Sequence, residues 1–540
     1  MNVRIGAPLN SELTPSLQWM EVHSTLQIPS FHVVGLPGPE ISEARERVRA
    51  AILASGNKFP KRRIVINMSP SSVRKRGTGV DLAIALAILA ASEKRGDRPG
   101  SDTGDALKIV AWGELGLDGS IKPAGQLARL VLAAWEAGAQ AVIVPALEAD
   151  ECQHKFHLVR DGLAAGAGGI PGAPPKLIAA GNLREAWLAV KNIAFSGAAA
   201  AASCDARTPD GDTQKYASNP GSRVTALSLL PLSNAHERMF GAAVAGRHHI
   251  LLIGPRGTGK TRATEWLEAL QPEAQPDILL SRMIIAELLS PRLPSISRPV
   301  RRIGANVRPA ALIGSASPVK IQPGEFTLAH GGMLIADEFP EWPRDSREVL
   351  REPLEQEQVT LTRSSSGTIE MPASFMFVAT GNFCHCGGWP PEVPTPDCAE
   401  NFSVCKCPPQ ARRQYMTRMS GPVLDRLDMV AKVTSASASG TQCGLTALRH
   451  RVDVCIARMK SCWGRECGKL DAAGVEQLLE KNPAWSAHPA LARATSLRGR
   501  HKTLRLALTL AAWDGMDTPL PAHFSEAAMY RPEKTLFGCN

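Results

Sequence analysis

The sequence predicts an α/β fold in three parts: a first α/β domain, a second domain built on a parallel sheet, and a helical tail. Three observations carry this. Between 223 and 430, short apolar runs (HHILLIGP, GGMLIADE, SFMFVATGN) alternate with helix-forming stretches, the pattern of parallel strands covered on both faces. Residues 1–192 show a similar alternation. From 431 onward strand signals fade, and the apolar spacing becomes helical, as in TALRHRVDVCIARMKSC and LRGRHKTLRLALTLAAWDG. The stretch FSGAAAAASCDARTPDGDTQKYASNPGS (195–222) is poor in large apolar residues and rich in Ala, Gly, Ser, Asp and Pro, a linker composition. The expected organisation is therefore a domain over 1–192, a linker over 193–222, a parallel-sheet domain over 223–430 and a helical domain over 431–540.

In the first domain, RRIVINMSP (62–70) reads as a strand and GVDLAIALAILAAS (79–92) as a helix packed on it. KIVAWGELGLDGSI (108–121) reads as a hairpin around an Asp-Gly turn. QLARLVLAAWEAG (126–138) is a helix ending at a glycine, and AQAVIVP (139–145) is the next strand. The longest apolar run, LAIALAILAA, is about half of what a membrane span needs, and Asp81 and Glu93 bracket it; a buried helix is expected, with no membrane partner.

Composition narrows the function classes. Lys plus Arg number 61 against 51 acids, a net charge of +10, which favours polyanionic partners and nucleic acid first. MNVRIGAPLNSELTPSL carries no apolar core of secretion-signal type, so a cytoplasmic location is expected. In a reducing compartment the 12 cysteines favour thiols or metal ligands over disulfides.

GPRGTGKT (Gly254, Pro255, Arg256, Gly257, Thr258, Gly259, Lys260, Thr261) fits G-x-x-x-x-G-K-[ST], and it sits between an apolar strand and a helix as that motif requires. The glycines let backbone amides wrap phosphates, Lys260 is placed for the β- and γ-phosphates, and the Thr261 hydroxyl for Mg²⁺. In GGMLIADE, Asp337 emerges at a strand end to serve the metal, and Glu338 to activate the attacking water. FMFVATGN ends a further strand in Asn382, an amide suited to orient that water or sense the γ-phosphate. Arg426 in SGPVLDRLDM is a candidate to complete a neighbouring chain's site, and Arg498 at the start of a tail helix is a candidate to touch the γ-phosphate.

With these pieces in order, the chain resembles the magnesium-chelatase-related AAA+ ATPases, in the YifB/ComM branch. FHVVGLPGPEISEARERVRAAILASG, GELGLDGSIKPAG, LLIGPRGTGKT, PGEFTLAHGGMLIADEFPEW, REPLEQEQVTLTR, SGPVLDRLDM and SEAAMYRP carry the resemblance over nearly the whole chain. It implies an AAA+ P-loop domain with a C-terminal helical lid, and an N-terminal domain similar to the proteolytic domain of Lon. It also implies a ring, expected as a homo-hexamer, with ATP and Mg²⁺ between subunits, so that Arg426 acts in trans. For ComM-like members it implies an ATP-driven motor on branched or single-stranded DNA, migrating junctions when incoming DNA recombines in natural transformation. The alternatives are a protein-remodelling ATPase and a magnesium-chelatase-like ATPase that does not act on DNA. The chain departs from the family in three places. Where Lon-type proteolysis needs a serine and a lysine, it has Thr78, and Ala128 with Arg129, so no peptidase activity is expected. RRIGANV stands in place of a PHH segment, adding Arg301 and Arg302. The usual entry segment before HERMFGAAVAG is not visible.

After the strand bearing Asn382, the family has a CPCG segment and then a CRC segment; here they read CHCG and CKC. Cys384, Cys386, Cys405 and Cys407 thus offer four sulfurs, the ligand set of a closed structural Zn²⁺ site. His385 or Cys398 replacing one sulfur, free thiols, and an oxidised disulfide remain open from spacing alone. VTLTRSSSGTIEMPASF (359–375) reads as a β-hairpin with a Ser/Gly tip, and Arg363 at its shoulder is a candidate phosphate contact if the hairpin projects into a ring pore.

Overall fold

The computed structural model describes residues 3–9, 16–35, 39–69, 78–93, 106–165, 172–196, 234–289, 298–316, 321–363, 367–389, 404–419, 421–433, 444–492, 494 and 496–531. The expected linker beyond residue 196, Cys398 and the hairpin tip at 364–366 lie outside these. The described chain divides into two compact units: 1–212 with 275–294, and 213–274 with 295–540. Among the described residues, no helix is long and apolar enough to cross a membrane.

The first unit is a mixed sheet covered by helices. Its strands are β1 (Val3–Leu9), β2 (Ser16–Thr25), β3 (Ser30–Val34), β4 (Arg63–Ser69), β5 (Leu107–Ala111), β6 (Glu114–Leu115), β7 (Ile121–Lys122), β8 (Ala141–Pro145) and β9 (Lys176–Ala180). Seven of them form one sheet in the order β3-β4-β2-β1-β5-β8-β9. The stretch expected as one hairpin over 108–121 divides in two. β5 enters the large sheet parallel to β1 and β8, and only β6 and β7 form the hairpin around Asp118-Gly119. The wholly apolar β5 tip and β8 explain this, because they suit a strand buried on both faces rather than an exposed ribbon. The helix Asp81–Ser92 is buried from Asp81 to Ala90. Its only charge in that stretch, Asp81, is fully buried and pairs with Arg47 at 2.7 Å.

A helix from much later in the chain, Pro276–Leu289, belongs to this unit. Leu280 and Met283 enter the unit's core, and Glu287 fixes the helix electrostatically. The Glu287 carboxylate accepts from the backbone N–H groups of Ala128 (2.9 Å) and Arg129 (3.2 Å), and from Lys155 Nζ (2.8 Å). An anion at a helix N-terminus meets unsatisfied amides and the positive end of the dipole. At the positions where peptidase chemistry would need an amine, Ala128 and Arg129 are buried, and the Thr78 hydroxyl donates to Glu114 at 2.6 Å.

The second unit holds β10 (Ile250–Ile253), β11 (Val300–Ile303), β12 (Gly314–Ala316), β13 (Ile321–Pro323), β14 (Met333–Ala336), β15 (Gln358–Arg363), β16 (Gly367–Pro372), β17 (Met376–Gly381) and β18 (Met429–Lys432). Its main sheet is parallel throughout, in the order β11-β14-β17-β10-β18. β10, β14 and β17 are buried at every residue, which is why they read as continuous apolar runs. β15 and β16 pair as the expected hairpin, and the helices Leu445–Trp463 and Leu497–Trp513 pack into the same core.

Two histidines enter β10 from within this core. Burial pushes His248 down to about 4 and His249 down to about 3. His248 Nε2 lies 2.8 Å from the Thr509 hydroxyl, and His249 Nδ1 accepts from the Phe377 N–H at 3.1 Å, which fixes a neutral ring. In the unfolded chain both take up protons near pH 6.5. The unfolded state then binds more protons than the folded state as pH falls below about 6.5. Stability present above that pH is therefore lost progressively down to about pH 4, by up to about 1.4 kcal/mol per histidine per pH unit. The urea midpoint is expected to be lower at pH 5 than at pH 7; equal midpoints would contradict this reading.

Candidate nucleotide site and cysteine cluster

The strand ends of the parallel sheet gather the polar residues. β10 ends at Ile253, and the chain turns through Gly254–Gly259 into the helix Lys260–Ala269. Gly257 (φ 79°) and Gly259 (φ 87°) take the left-handed conformation that favours glycine. A Cβ on Gly254 would lie 2.3 Å from the Val433 carbonyl oxygen, so no larger residue fits there. The loop is tied to its neighbour strand by Gly254 N–H donating to Gly381 O (3.2 Å), and the Thr258 hydroxyl closes it on Pro255 O (2.9 Å). Lys260 Nζ donates to the carbonyls of Gly254 (2.9 Å) and Pro255 (2.6 Å). Burial lowers its pKa to about 8, against the opposing pull of the Asp337 carboxylate. Thr261 is exposed on the first turn of the helix.

Asp337 and Glu338 follow β14, and one residue organises both. The Thr380 hydroxyl, on β17, donates to Asp337 Oδ1 (2.5 Å) and accepts from the Glu338 N–H (3.0 Å). Glu338 itself has φ 50°, a left-handed conformation that costs a side-chain-bearing residue about 1–3 kcal/mol. Its side chain is exposed. Asn382 follows β17, and its side-chain oxygen is buried without a hydrogen-bond partner among the described residues. This orphan acceptor, the glycine cradle and the two acids at neighbouring strand tips fit a nucleotide with its metal ion. Thr380 was not singled out in the sequence; the only signal was its place near the end of the strand that leads into Asn382.

Arg426 and Arg498 lie elsewhere in the unit. Arg426 donates to Pro422 O (2.7 Å) and to Glu355, and Arg498 donates to the other oxygen of Glu355. Neither has a hydrogen bond or ion pair to Lys260, Asp337 or Glu338 within its own chain. The two arginines in RRIGANV are structural: Arg301 pairs with Glu325 (2.5 Å), and Arg302 with Glu268 (2.7 Å) and the Thr264 hydroxyl (2.9 Å). Arg302 ties β11 to the helix Lys260–Ala269, and Arg301 ties it to the short helix Glu325–Leu328.

The sulfurs of Cys384, Cys386, Cys405 and Cys407 lie within 4.8 Å of one another. Cys384 is 3.0 Å from Cys386 and 3.1 Å from Cys405, and Cys386 is 3.4 Å from Cys405. Four sulfurs each about 2.3 Å from a zinc ion have edges of about 3.8 Å, so a small outward movement suits this set to the metal. The hydrogen bond from the Cys384 thiol, with that from the Gly388 N–H, pulls the Cys386 thiol below its usual range, toward the thiolate that binds metal. The cluster also touches the phosphate loop: the Arg256 N–H donates to Gly387 O at 2.9 Å. A Cβ on Gly387 would meet the Arg256 side chain at 2.5 Å.

A parallel sheet with this loop and these acidic strand tips defines a P-loop protein of AAA+ type. The family model described as "Magnesium chelatase, subunit ChlI" matches residues 233–441, and "Subunit ChlI of Mg-chelatase" matches 20–148. The chain is 30% identical over 519 residues to the uncharacterized protein Rv2897c of Mycobacterium tuberculosis (strain H37Rv), covering 93% of this chain and 92% of the relative. It is 29% identical over 532 residues to the uncharacterized protein YifB of Escherichia coli K12, covering 95% and 93%. It is 28% identical over 527 residues to the competence protein ComM of Haemophilus influenzae, covering 95% and 94%. The chain belongs to the magnesium-chelatase-related AAA+ family, among the relatives of YifB and ComM.

Proposed function

We propose that this chain is a ring-forming ATPase that moves branched or single-stranded DNA, in the manner of a branch-migration helicase. The observation that carries the ATPase half is the convergence of Lys260, Asp337, Glu338 and Asn382 at adjacent strand ends of one parallel sheet. Gly254, Pro255, Arg256, Gly257, Thr258 and Gly259 cradle the phosphates, Lys260 holds the β- and γ-phosphates, and Thr261 with Asp337 holds magnesium. Magnesium, when bound, neutralises charge on the phosphate oxygens. Glu338 takes a proton from the attacking water, and Asn382 orients that water through its unpartnered amide oxygen. Arg426 and Arg498 stabilise the charge that develops on the phosphoryl group, acting on the nucleotide of a neighbouring copy in a homo-hexamer. The DNA half is supported by the net charge of +10, the β15–β16 hairpin and the likeness to a competence protein. The test is ATP-dependent displacement of a labelled strand from a three-way junction, lost with Lys260→Ala. Turnover without displacement on any junction would favour protein remodelling or a chelatase-like role.

The cysteine cluster holds a structural zinc that braces the phosphate loop through Gly387 and Arg256. Purified protein is expected to carry about one zinc per chain, and Cys386→Ser with Cys405→Ser to lose it and weaken nucleotide binding. Less than about a tenth of an equivalent in a folded protein would contradict this.

A further inference from the structure

Glu355 sits at the end of the short helix Arg351–Gln356, and no sequence motif marks it as functional. Its two carboxylate oxygens are divided between two guanidiniums: Oε2 accepts from Arg426 Nη2, and Oε1 accepts from Arg498 Nη2. The three residues come from chain segments 71 and 143 residues apart. Asp425 is the other acid within ion-pair reach, 3.9 Å from Arg498 Nη1, and it also accepts from the Ser496 hydroxyl (3.2 Å). The Glu355 side chain is 41% exposed and that of Arg498 48%, whereas that of Arg426 is 12% exposed, so the cluster runs from a mostly buried guanidinium to an outward-facing one.

We propose that Glu355 is a positioning residue that joins Arg426 and Arg498 into one anion receptor for the terminal phosphoryl group of a nucleotide held by a second copy of this chain. The proposal rests on the ATPase reading above. Two unshielded guanidiniums repel each other when brought together, and the shared Glu355 carboxylate offsets that repulsion, with the more distant Asp425 carboxylate beside Arg498 as a weaker second counter-charge. Each guanidinium has five N–H donors, so the two that Arg426 spends on Glu355 and Pro422 O, and the one that Arg498 spends on Glu355, leave others for phosphoryl oxygens. Burial pushes the Glu355 carboxyl up, but Arg426 and Arg498 outweigh it and hold the group below its usual range, so it is ionised at neutral pH. The exposed Arg498–Glu355 pair adds little to stability, which makes it a poor choice as a mere tie. The shared carboxylate is well suited to fixing the spacing of two cations that must reach one group together.

The test uses the full chain and three readouts. With Glu355→Gln, kcat for ATP is expected to fall by about tenfold or more, with KM and the binding of a fluorescent ATP analogue within about twofold of wild type. Glu355→Gln placed on Arg426→Ala/Arg498→Ala is expected to add no further loss. Mixing Glu355→Gln chains with Lys260→Ala chains is expected to restore part of the turnover that each lacks alone, because Lys260→Ala chains supply intact arginine pairs to Glu355→Gln neighbours. The proposal is overturned if Glu355→Gln turns over like wild type while Arg426→Ala does not, or if the losses multiply in the triple variant. If Arg426→Ala and Lys260→Ala leave turnover untouched, the ATPase reading itself fails, and the proposal with it.

Discussion

Glu338→Gln is expected to bind ATP as tightly as wild type and to hydrolyse it about 10²–10⁴-fold more slowly. The Glu338 carboxylate is exposed at the strand tip and is the proposed base, while Asp337 is the proposed metal ligand. Asp337 is engaged by the Thr380 hydroxyl at 2.5 Å, and the Asn382 amide has no basic atom. The backbone conformation at Glu338, φ 50°, is an unfavourable one held in place by the Thr380 bond to its N–H. Strain kept at a polar strand tip points to a side chain that must be aimed. Glutamine preserves size and hydrogen bonding but not basicity, so binding and turnover should separate. Single-turnover hydrolysis and equilibrium binding of a fluorescent analogue check this. A variant with wild-type turnover would remove Glu338 from the chemistry.

The second large effect falls on stability. Asp428→Ala is expected to cost about 3–5 kcal/mol, because it strands a buried ammonium. Asp428 is 3% exposed and follows the segment that carries Arg426. Its Oδ1 accepts from Lys502 Nζ at 2.8 Å, and its Oδ2 from the His249 N–H at 2.7 Å. Burial alone would push this carboxyl up, but Lys502, with the two histidines, outweighs burial and holds it well below the usual carboxylate range. Lys502 also donates to the Arg426 carbonyl at 2.7 Å, and Arg531 to that of Leu427 at 2.7 Å. The Asp428–Lys502 pair therefore joins the helix Leu497–Trp513, the entry to β10 and the backbone of Arg426. Asp428→Ala/Lys502→Met is expected to be more stable than Asp428→Ala alone, since no charge is left unpaired. Urea unfolding of both variants measures it; a double variant no more stable than the single one would contradict the account.

Much of this site was legible because the chemistry is local. The phosphate loop, the Asp337-Glu338 pair and the cysteine pairs each sit within a few residues, next to apolar runs that announce buried strands. What was not legible depends on contacts between distant segments. Thr380 gains its role from β14 and β17 being neighbours, and Glu355 from two arginines far along the chain. The helix Pro276–Leu289 lies between the phosphate loop and β11, yet it packs with the first unit, and Glu287 and the ends of Ala128 and Arg129 explain why only once they meet. Arg301 and Arg302 looked like an added basic feature, and their partners Glu325 and Glu268 show them to be braces.

In the proposed function, ATP turnover is coupled to DNA. The measurement is the steady-state ATPase rate of the purified chain alone and with single-stranded, duplex, and three- or four-way-junction DNA, with Lys260→Ala as control. Strong stimulation by junctions or single strands is expected, vanishing in the Lys260→Ala variant and weakening as salt rises. Robust turnover that is indifferent to every DNA would contradict it.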